Sequence, residues 1–379
     1  MLPYLLLIFV PLLFALVAPA RAIKPDARSG TLSVGVDRKI QSNSFLIPAF
    51  FVGFFLLLVL RDETIGCDVV SYHDHFDEYM TKELSEVFRA RDPLYWLLNW
   101  VVGQFTDDFR WMLVVVAAII LVPIAKAYDE DREHGFLKLL LFVNLPTFVM
   151  VFSGLRQSIA MAMGLWAYQY VRKRKLIKFL IVAVLAWGFH HTAFIMFIFY
   201  PLYSMALRKK HMFLVVPSIL LVFIFNQPIF MWATELLNTI FGEDYSATIK
   251  TTGAYTMLIL FVMLAVFSYV IPDEKKMDKD ALGLRNFMLM AVFLQCFAPV
   301  HSLAMRMNYY LILFIPMLIP KVLKCAKSNM AEIAQAAKIV MTVFFLFYYV
   351  VDTYVSCTTG VSSLNTHPYI AFWQQIPGE

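Results

Sequence analysis

The stretch Gly154–Phe194 reads GLRQSIAMAMGLWAYQYVRKRKLIKFLIVAVLAWGFHHTAF and predicts two apolar helices joined by a basic turn. Arg156 opens the first helix, and the histidine pair His190 and His191 closes the second. Because roughly 15–20 helical residues cross a bilayer, both ends should lie at the same membrane face. Charge at a helix end beside hydrocarbon is costly unless it has a function, so a catalytic or anion-binding pocket is expected on that side.

The composition extends this pattern to the whole chain. Of the 379 residues, 60% are hydrophobic and only 16% are charged, whereas soluble domains carry about 25% charged residues. The mean hydropathy is +0.69. We predict an all-α polytopic integral membrane protein that forms a single transmembrane domain over residues 1–379. The net charge of +5 does not indicate nucleic-acid binding, because the basic residues lie in short loops between apolar runs.

About 12 transmembrane helices are expected, within a range of roughly 10–13. The predicted spans are 2–20, 45–60, 111–127, 136–153, 157–171, 176–189, 192–207, 212–226, 253–271, 287–300, 307–321 and 336–355. The segment 93–105, PLYWLLNWVVGQF, is apolar but short, and we interpret it as an interfacial or re-entrant helix. A further crossing there would place the basic run at 172–175 outside and break the alternation of charge.

The orientation follows from the positive-inside rule. One alternation of the spans places 24 of the 32 lysines and arginines inside, in the loops 21–44, 172–178, 208–211 and 272–286 and beside the neighbouring span ends. Both termini are then external. The external parts are the acidic loop 61–110, the loop 227–252 and the tail 356–379, which carries aromatic residues suited to a membrane surface.

Two of the eight basic residues predicted to lie outside, Arg156 and Arg306, fall in short turns between apolar helices. Arginine suits phosphate because it stays charged and offers a planar fork of donors. A snorkelling arginine that anchors a helix end is the other interpretation of each. Two arginines at one face, beside a histidine pair, favour phosphate binding.

His190 and His191 follow Trp187-Gly188-Phe189. A histidine at this place can accept a proton from an attacking hydroxyl, because its reference pKa is near neutrality. Adjacent side chains on a helix point about 100° apart, so one of the two should face the pocket, and we favour His190. An interfacial histidine bonded to a carbonyl remains the other interpretation.

The external loop begins with Arg61, turns at Gly66 and continues through Cys67 to Asp68 and Tyr72. Asp68 and Tyr72 are four residues apart and would share a face if this segment is helical. A carboxylate there can position a sugar hydroxyl or take its proton. The neighbouring acidic residues are interpreted as a solvated loop surface. They are Asp62, Glu63, Asp74, Asp77 and Glu78.

The order and spacing of four short pieces resemble the EpsG family of bacterial exopolysaccharide proteins, which is related to the Wzy-type O-antigen and capsule polymerases. The pieces are Arg61 with Gly66-Cys67-Asp68 and Tyr72, then Gly154-Leu155-Arg156-Gln157-Ser158-Ile159-Ala160, then Phe189-His190-His191-Thr192-Ala193, and finally Arg306-Met307-Asn308-Tyr309-Tyr310. Cys67 stands where the family usually has a small polar residue. The doubled histidine leaves the match ambiguous by one position, and the Phe-His order favours His190.

This resemblance implies a GT-C-like membrane glycosyltransferase in the bacterial cytoplasmic (inner) membrane, with its active site on the periplasmic face. Such an enzyme would be inverting and would need neither a metal nor a cofactor. It would move a glycan from a polyprenyl-diphosphate-linked donor to a sugar hydroxyl of another lipid-linked repeat unit. Its expected partners are the bilayer and other polysaccharide-assembly proteins, among them a chain-length regulator.

The resemblance also suggests roles for single residues. Arg156 and Arg306 would hold the diphosphate, and Arg156 would help to stabilise the leaving charge. His190 or Asp68 would orient or deprotonate the acceptor hydroxyl. The remaining substrate-binding candidates are Arg61, Tyr72, His191, Tyr309 and Tyr310.

Three other functions are compatible with the sequence. A lipid-linked-oligosaccharide flippase would share the span count, but it should carry polar groups near mid-membrane. A membrane acyltransferase that modifies polysaccharide would also use a histidine near the membrane. A structural assembly subunit is the third. The clustering of the notable residues at one predicted face favours a polymerase over transport.

Overall fold

The computed structural model describes residues 1–17, 45–131, 133–205, 207–241 and 254–374. The predicted inside loop 21–44 and the part 242–252 of the predicted loop 227–252 lie outside the described residues. Within the described ranges the chain is all-helical, and its β structure consists of two isolated bridges, Arg61 with Ala371 and Pro272 with Ala326. Apolar helices follow one another along the chain, as a helical membrane protein requires.

The first half of the chain contains the helices α1 Leu2–Val17, α2 Leu46–Val59, α3 Val69–Tyr79, α4 Leu84–Arg89, α5 Pro93–Gly103, α6 Phe109–Asp129, α7 Gly135–Val143, α8 Pro146–Ser153, α9 Leu155–Arg172 and α10 Leu176–Phe189. The second half contains α11 Phe199–Ser204, α12 Met212–Ile224, α13 Asn226–Phe241, α14 Ala254–Val270, α15 Lys279–Gln295, α16 Ser302–Ile312, α17 Ile315–Lys324 and α18 Ala331–Thr359. Short 3-10 turns occupy His191–Ile198, Lys209–His211, Ser328–Met330 and Ser363–Asn365.

Among the described residues, two helical stretches are long and apolar enough to cross a membrane alone, Phe109–Asp129 and Ser328–Thr359. Three bent pairs of helices raise this number to five if each pair is one span. Shorter apolar helices occur at Leu2–Phe14, Leu46–Val59, Leu176–Phe189 and Ala254–Val270. Each of these short helices coincides with a predicted span to within a few residues.

Two of the predicted spans are broken helices. The span 136–153 is divided into α7 and α8, which meet at an angle of 61°. Pro146 stands in the first turn of α8 and holds Leu145 in an extended conformation with ψ 148°, because a residue before proline avoids the helical region. The span 307–321 is likewise divided into α16 and α17, bent by 46°, and Pro316 stands in the first turn of the second helix.

The predicted loop 61–110 contains three helices, α3, α4 and α5. Helix α5 confirms the helix predicted near 93–105, and its position in the membrane stays a prediction. Val69, Tyr72 and Phe76 form the buried side of α3. Their spacing of three and four residues is that of one helical face, so this segment packs against the protein even though most of its residues are polar.

Two predicted boundaries were wrong. Helix α15 begins at Lys279 and not near 287, because the Asp278 side chain accepts a hydrogen bond from the Ala281 N–H and caps the helix there. Arg285, placed in an inside loop by the sequence, is therefore helical and fully buried. Arg306 lies within α16 and not in a turn, since α16 already begins at Ser302.

Helices α9 and α10 show why the stretch Gly154–Phe194 folds as it does. Ser158, Ala160, Ala162 and Ala167 on α9 are completely buried, as expected of small residues that allow close helix packing. Helix α10 buries one face and exposes a row of large apolar side chains on the other. The buried residues are Phe179, Val182, Ala183 and Ala186, and the exposed ones include Ile177, Ile181, Val184 and Trp187. An apolar exposed face suits lipid.

The chain divides into two compact units. The first comprises Met1–Gln169, Leu180–His191 and Ala337–Glu379, and the second comprises Tyr170–Phe179 and Thr192–Ala336. In the first unit, α2 packs against α1 and α6, and α5 packs against α3 and α4. In the second unit, α15 packs against α14 and α16.

Candidate functional site

Arg156 lies in the first turn of α9, directly after the non-helical residue Gly154 that separates α8 from α9. Its Nη1 donates to Asp92 Oδ2 at 3.0 Å, and its Nε lies 3.5 Å from the Tyr72 hydroxyl. The guanidinium also lies 5.7 Å from the Tyr72 ring centre and 5.3 Å from that of Trp96. Its side chain is 28% exposed while that of Asp92 is 1% exposed. Arg156 is thus held by a buried anion and two aromatic faces, with an edge still accessible.

Asp92 is the centre of the cluster. It precedes Pro93 in a left-handed conformation with φ 61°, and its carboxylate makes no hydrogen bond to its own helix α5. Instead, Oδ1 accepts the main-chain N–H of His191 at 2.8 Å, and Oδ2 lies 3.3 Å from His190 Nδ1 and 3.0 Å from Arg156 Nη1. One carboxylate therefore ties α9 to the end of α10.

Both imidazoles face this carboxylate. His191 Nδ1 lies 3.4 Å from Asp92 Oδ1, and the two histidine rings are 4.4 Å apart. The expectation that only one histidine would point to the site was wrong, because α10 ends at Phe189 and a 3-10 helix begins at His191. Adjacent residues at such a break are not separated by the angle of a regular helix.

The surroundings of His190 make it a candidate base. The residue is 5% exposed, and its Nε2 is buried without a hydrogen-bond partner. Burial lowers the pKa of His190 to about 4, against the opposing effect of Asp92. The imidazole is therefore neutral at pH 7. With Nδ1 directed at a carboxylate, the favoured tautomer carries its proton on Nδ1 and leaves a lone pair on Nε2.

Asp92 in turn is an anion. Burial raises its pKa, but the hydrogen bonds from His190 and His191 outweigh this and hold the pKa of Asp92 well below its usual range. A carboxylate that accepts hydrogen bonds from three groups stays ionised even when it is shielded from water. The arrangement of a buried aspartate that holds a neutral imidazole is the one that orients a general base in many hydrolases and transferases.

The predicted residues Asp68 and Tyr72 lie close to this cluster. Asp68 immediately precedes α3, and Tyr72 follows one turn later with its main-chain N–H bonded to the Asp68 carbonyl at 3.0 Å. The Asp68 N–H donates to Ser153 Oγ at 3.3 Å, which fixes the start of α3 to the end of α8. The Asp68 side chain is exposed, while the Tyr72 hydroxyl meets Arg156.

Arg61 has a different environment. It is 1% exposed, its Nη1 donates to the Phe152 carbonyl, and its guanidinium lies 5.6 Å from the Phe152 ring centre. Burial lowers the pKa of Arg61 to about 10. These contacts hold the start of the loop 61–110 against the end of α8, and substrate binding by Arg61 stays a prediction.

The remaining predicted residues belong to the second unit. Arg306 is exposed on α16, and Tyr309 and Tyr310 are buried on the same helix. The Tyr310 hydroxyl lies 3.2 Å from Thr192 Oγ1. Their roles toward substrate stay predictions.

The acidic and imidazole groups also form a set that can hold a cation. Asp92, His190 and His191 each offer one ligand atom, and these atoms lie within 4.8 Å of one another. Imidazole and carboxylate donors suit Zn²⁺ and related ions. The Arg156 guanidinium, 3.0 Å from Asp92 Oδ2, already supplies the positive charge at this carboxylate. The donor set thus fits a metal in its chemistry, and one of its carboxylate oxygens pairs with Arg156.

Sequence reasoning missed Asp92 and Trp96. Asp-Pro at the start of an apolar helix is a visible signal, but it predicts a helix cap, and Asp92 makes no such cap. Trp96 donates its indole N–H to the Arg91 carbonyl at 2.6 Å and stacks on Tyr79 at 4.3 Å. Only the folded arrangement of α5 against α3 shows that both residues face Arg156.

A comparison with known protein families gives one match over most of the chain. Residues 44–370 match the model of the EpsG family. No curated protein and no solved structure matches the chain at a significant level. The matched range contains the whole Asp92, Arg156 and His190 cluster as well as Arg306. The chain belongs to the EpsG family.

Proposed function

We propose that the protein is a polysaccharide polymerase that joins lipid-linked oligosaccharide repeat units. Membership of the EpsG family indicates an exopolysaccharide-related polymerase in general terms. The donor is proposed to be a polyprenyl-diphosphate-linked oligosaccharide, and the acceptor a sugar hydroxyl of a second such unit. The observation that carries this proposal is the cluster of one cation, one buried carboxylate and one neutral imidazole around Asp92.

In this reaction His190 is the general base. As the acceptor oxygen attacks the anomeric carbon of the donor sugar, the hydroxyl proton passes to Nε2 of His190. The bond between the anomeric carbon and the diphosphate oxygen breaks, and the diphosphate lipid leaves with both electrons. A single displacement inverts the configuration at that carbon. Asp92 keeps the Nδ1 proton in place and stabilises the imidazolium that forms, as a positioning residue.

Arg156 is proposed to bind the diphosphate. Charge builds on the leaving phosphate as the bond breaks, and a preorganised donor at that point lowers the barrier by several kcal/mol in comparable sites. Asp92, Tyr72 and Trp96 preorganise the guanidinium, since they contact it before substrate arrives. Arg306 is proposed as a second phosphate ligand, and Asp68, Tyr72, Tyr309 and Tyr310 as sugar contacts, on the grounds of the sequence alone.

The proposal includes the expected setting of the enzyme. The chain would form one GT-C-like transmembrane domain with about 12 spans in the bacterial inner membrane. The site would lie on the periplasmic face, where lipid-linked repeat units and assembly proteins meet. The positive-inside distribution of the basic residues supports this orientation.

Substitution of Arg156 tests the proposal most directly. We expect Arg156→Ala to abolish polymer while single lipid-linked repeat units accumulate on the outer leaflet. Arg156→Lys should rescue poorly, because an ammonium does not reproduce the planar fork. Arg89→Ala is the matched control, since Arg89 is an exposed arginine in the same predicted loop as Asp92. Normal-length polymer from Arg156→Ala would refute the site, and repeat units trapped on the inner leaflet would indicate a flippase.

Metal independence is tested separately. We expect polymerisation by the purified protein in vesicles to be unchanged after treatment with a chelator, because Arg156 supplies the charge beside Asp92. Activity that falls with the chelator and returns with Zn²⁺ would mean that Asp92, His190 and His191 bind a metal.

A further inference from the structure

The second compact unit contains a basic cavity that the polymerase site does not use. Its volume is about 630 Å³, and it is lined by Arg208, Lys209, Lys210, His211 and Glu274. Arg208 precedes the 3-10 turn Lys209–His211, and its carbonyl accepts the His211 N–H at 2.8 Å. This turn leads directly into α12. Glu274 follows α14 in the chain, so two segments distant in sequence build the cavity.

The single carboxylate of this cavity is already neutralised. Glu274 Oε1 accepts a hydrogen bond from Arg285 Nη2 at 2.6 Å and from the Lys209 main-chain N–H at 3.2 Å. The Arg285 side chain is fully buried, and its guanidinium lies 3.9 Å from the Tyr269 ring centre. Because Arg285 pairs with Glu274 outside the turn, the side-chain charges of Arg208, Lys209 and Lys210 are left in excess.

A further cation, Lys327, adjoins the cavity. Burial lowers the pKa of Lys209, and the neighbouring charge of Lys327 lowers it further, against the opposing effect of Glu274. An added anion would relieve the repulsion among these cations. His211 Nδ1 accepts the Arg208 main-chain N–H at 2.9 Å, so its other nitrogen, Nε2, is the one that carries a proton to donate.

The helix that begins at this turn is apolar on all sides. None of the side chains of α12 is buried, and Phe213 is 71% exposed, Leu214 60% and Leu221 56%. A small soluble anion has no apolar part that could contact such a surface. A molecule that combines a negatively charged head with hydrocarbon chains would match both the basic cavity and the apolar helix.

We propose that this cavity binds the phosphate of an anionic phospholipid, with the acyl chains along α12. The phosphate would be bound by Arg208, Lys210 and the Nε2–H of His211. The bound lipid would belong to the membrane in which the protein resides. This site is independent of the polymerase reaction, because its ligand is neither donor nor acceptor.

Lipid binding to the full-length protein tests the proposal. The purified protein in detergent is titrated with phosphatidylglycerol, with phosphatidylcholine and with inorganic phosphate, and bound lipid is counted by native mass spectrometry. We expect the double variant R208Q/K210Q to bind phosphatidylglycerol about 25-fold more weakly, since each basic side chain near an anionic lipid contributes about fivefold. Phosphatidylcholine should bind weakly to both proteins.

The matched control is K175Q/K178Q, which removes the same charge from exposed positions in the predicted inside loop 172–178. This variant should bind phosphatidylglycerol as the unmodified protein does. Equal losses in the two double variants would overturn the proposal in favour of a general charge effect. Competition by inorganic phosphate at the same concentration as the lipid would overturn the lipid as the ligand, and indifference to phosphate supports it.

Discussion

Asp92 brings together residues that are far apart in the sequence. It contacts Arg156, 64 positions away, and His190, 98 positions away. Each of these two residues alone has an ordinary explanation as a membrane anchor or an interfacial histidine. Their shared contact with a buried carboxylate is harder to explain by anchoring, because burying an aspartate is costly unless its partners are fixed. The proposed role of this cluster in binding substrate would explain why the Asp92 carboxylate is buried despite that cost.

Replacement of Asp92 by asparagine should therefore impair the reaction more than substrate binding. The amide would keep the shape of the side chain but lose the charge that holds the Nδ1 proton of His190. We expect the rate of polymerisation by D92N to fall about 10²–10⁴-fold, the usual contribution of an oriented base. The measurement is product length and rate in vesicles, with D77N as control because Asp77 is exposed on α3. A rate for D92N equal to that of D77N would remove Asp92 from the mechanism.

The pH dependence of the reaction follows from His190. A base works in its neutral form, which exists above its pKa, and burial lowers the pKa of His190 to about 4. We expect the rate to persist as the pH falls through about 6.5, where an ordinary histidine would become protonated, and to decline only near pH 4. The profile is measured in vesicles at controlled pH. A decline centred near the ordinary histidine pKa would point to another, exposed histidine as the base.

At the scale of elements, the loop that carries Asp68 is held against α8 by a close backbone approach. Gly66 has φ +99°, and a Cβ there would clash with the Phe152 carbonyl oxygen. Glycine is required at this position for two reasons. A left-handed backbone conformation disfavours any side chain, and the Phe152 carbonyl leaves no space for a Cβ. This contact fixes α3, and with it Tyr72, beside Arg156.

Gly66→Ala should accordingly destabilise the protein and displace α3. Gly360→Ala is the matched control, since Gly360 also has positive φ, +68°, but has nothing within 4 Å of an added Cβ. The left-handed conformation costs each variant about 1–2 kcal/mol, so any larger loss in Gly66→Ala reports the clash with Phe152. Thermal unfolding in detergent measures both. Equal melting temperatures would show that α8 can move away from the loop.

Hydropathy predicted most of the helices but not how they break or join. The apolar runs at 45–60 and 111–127 became helices with nearly the same ends, because hydrophobic length sets both the run and the helix. The breaks after Asn144 and Ile312 were missed, although Pro146 and Pro316 mark them, because a window of hydropathy averages over such a residue. Likewise, Arg156 and His190 were found because charge is rare in apolar runs. Asp92 was missed because it lies in an acidic loop, where the sequence does not distinguish it from the other carboxylates.

At the scale of the whole molecule, the orientation in the membrane is the property that decides whether the proposed chemistry has access to its substrates. The exposed, apolar sides of α10, α12 and α18 leave room for lipid over much of the described surface. The distribution of the basic residues predicts the orientation of the protein in the membrane. They concentrate in the loops 172–178, 208–211 and 272–286, which share one predicted side.

Cysteine labelling from outside intact cells tests this orientation. The four native cysteines are free, so they are first replaced by serine. A membrane-impermeant thiol reagent should then label Arg89→Cys and should not label Lys175→Cys, because both positions are exposed in the structure but lie on opposite predicted sides. Permeabilised cells provide the control, in which both positions should react. Labelling of Lys175→Cys alone in intact cells would reverse the topology.

The segment after α18 folds back onto the end of α2 and the start of the loop 61–110. Phe372 donates its N–H to the Leu60 carbonyl at 3.1 Å, Asp62 donates to the Ile370 carbonyl at 2.9 Å, and the Tyr369 hydroxyl donates to the Leu57 carbonyl at 3.1 Å. The Tyr4 hydroxyl of α1 donates to the Thr366 carbonyl. A deletion from Ser362 onward would therefore disturb the surroundings of Arg61, because it would expose the buried Arg61 guanidinium to solvent. An affinity tag should be added after Gln374, so that residues 362–374 keep these contacts.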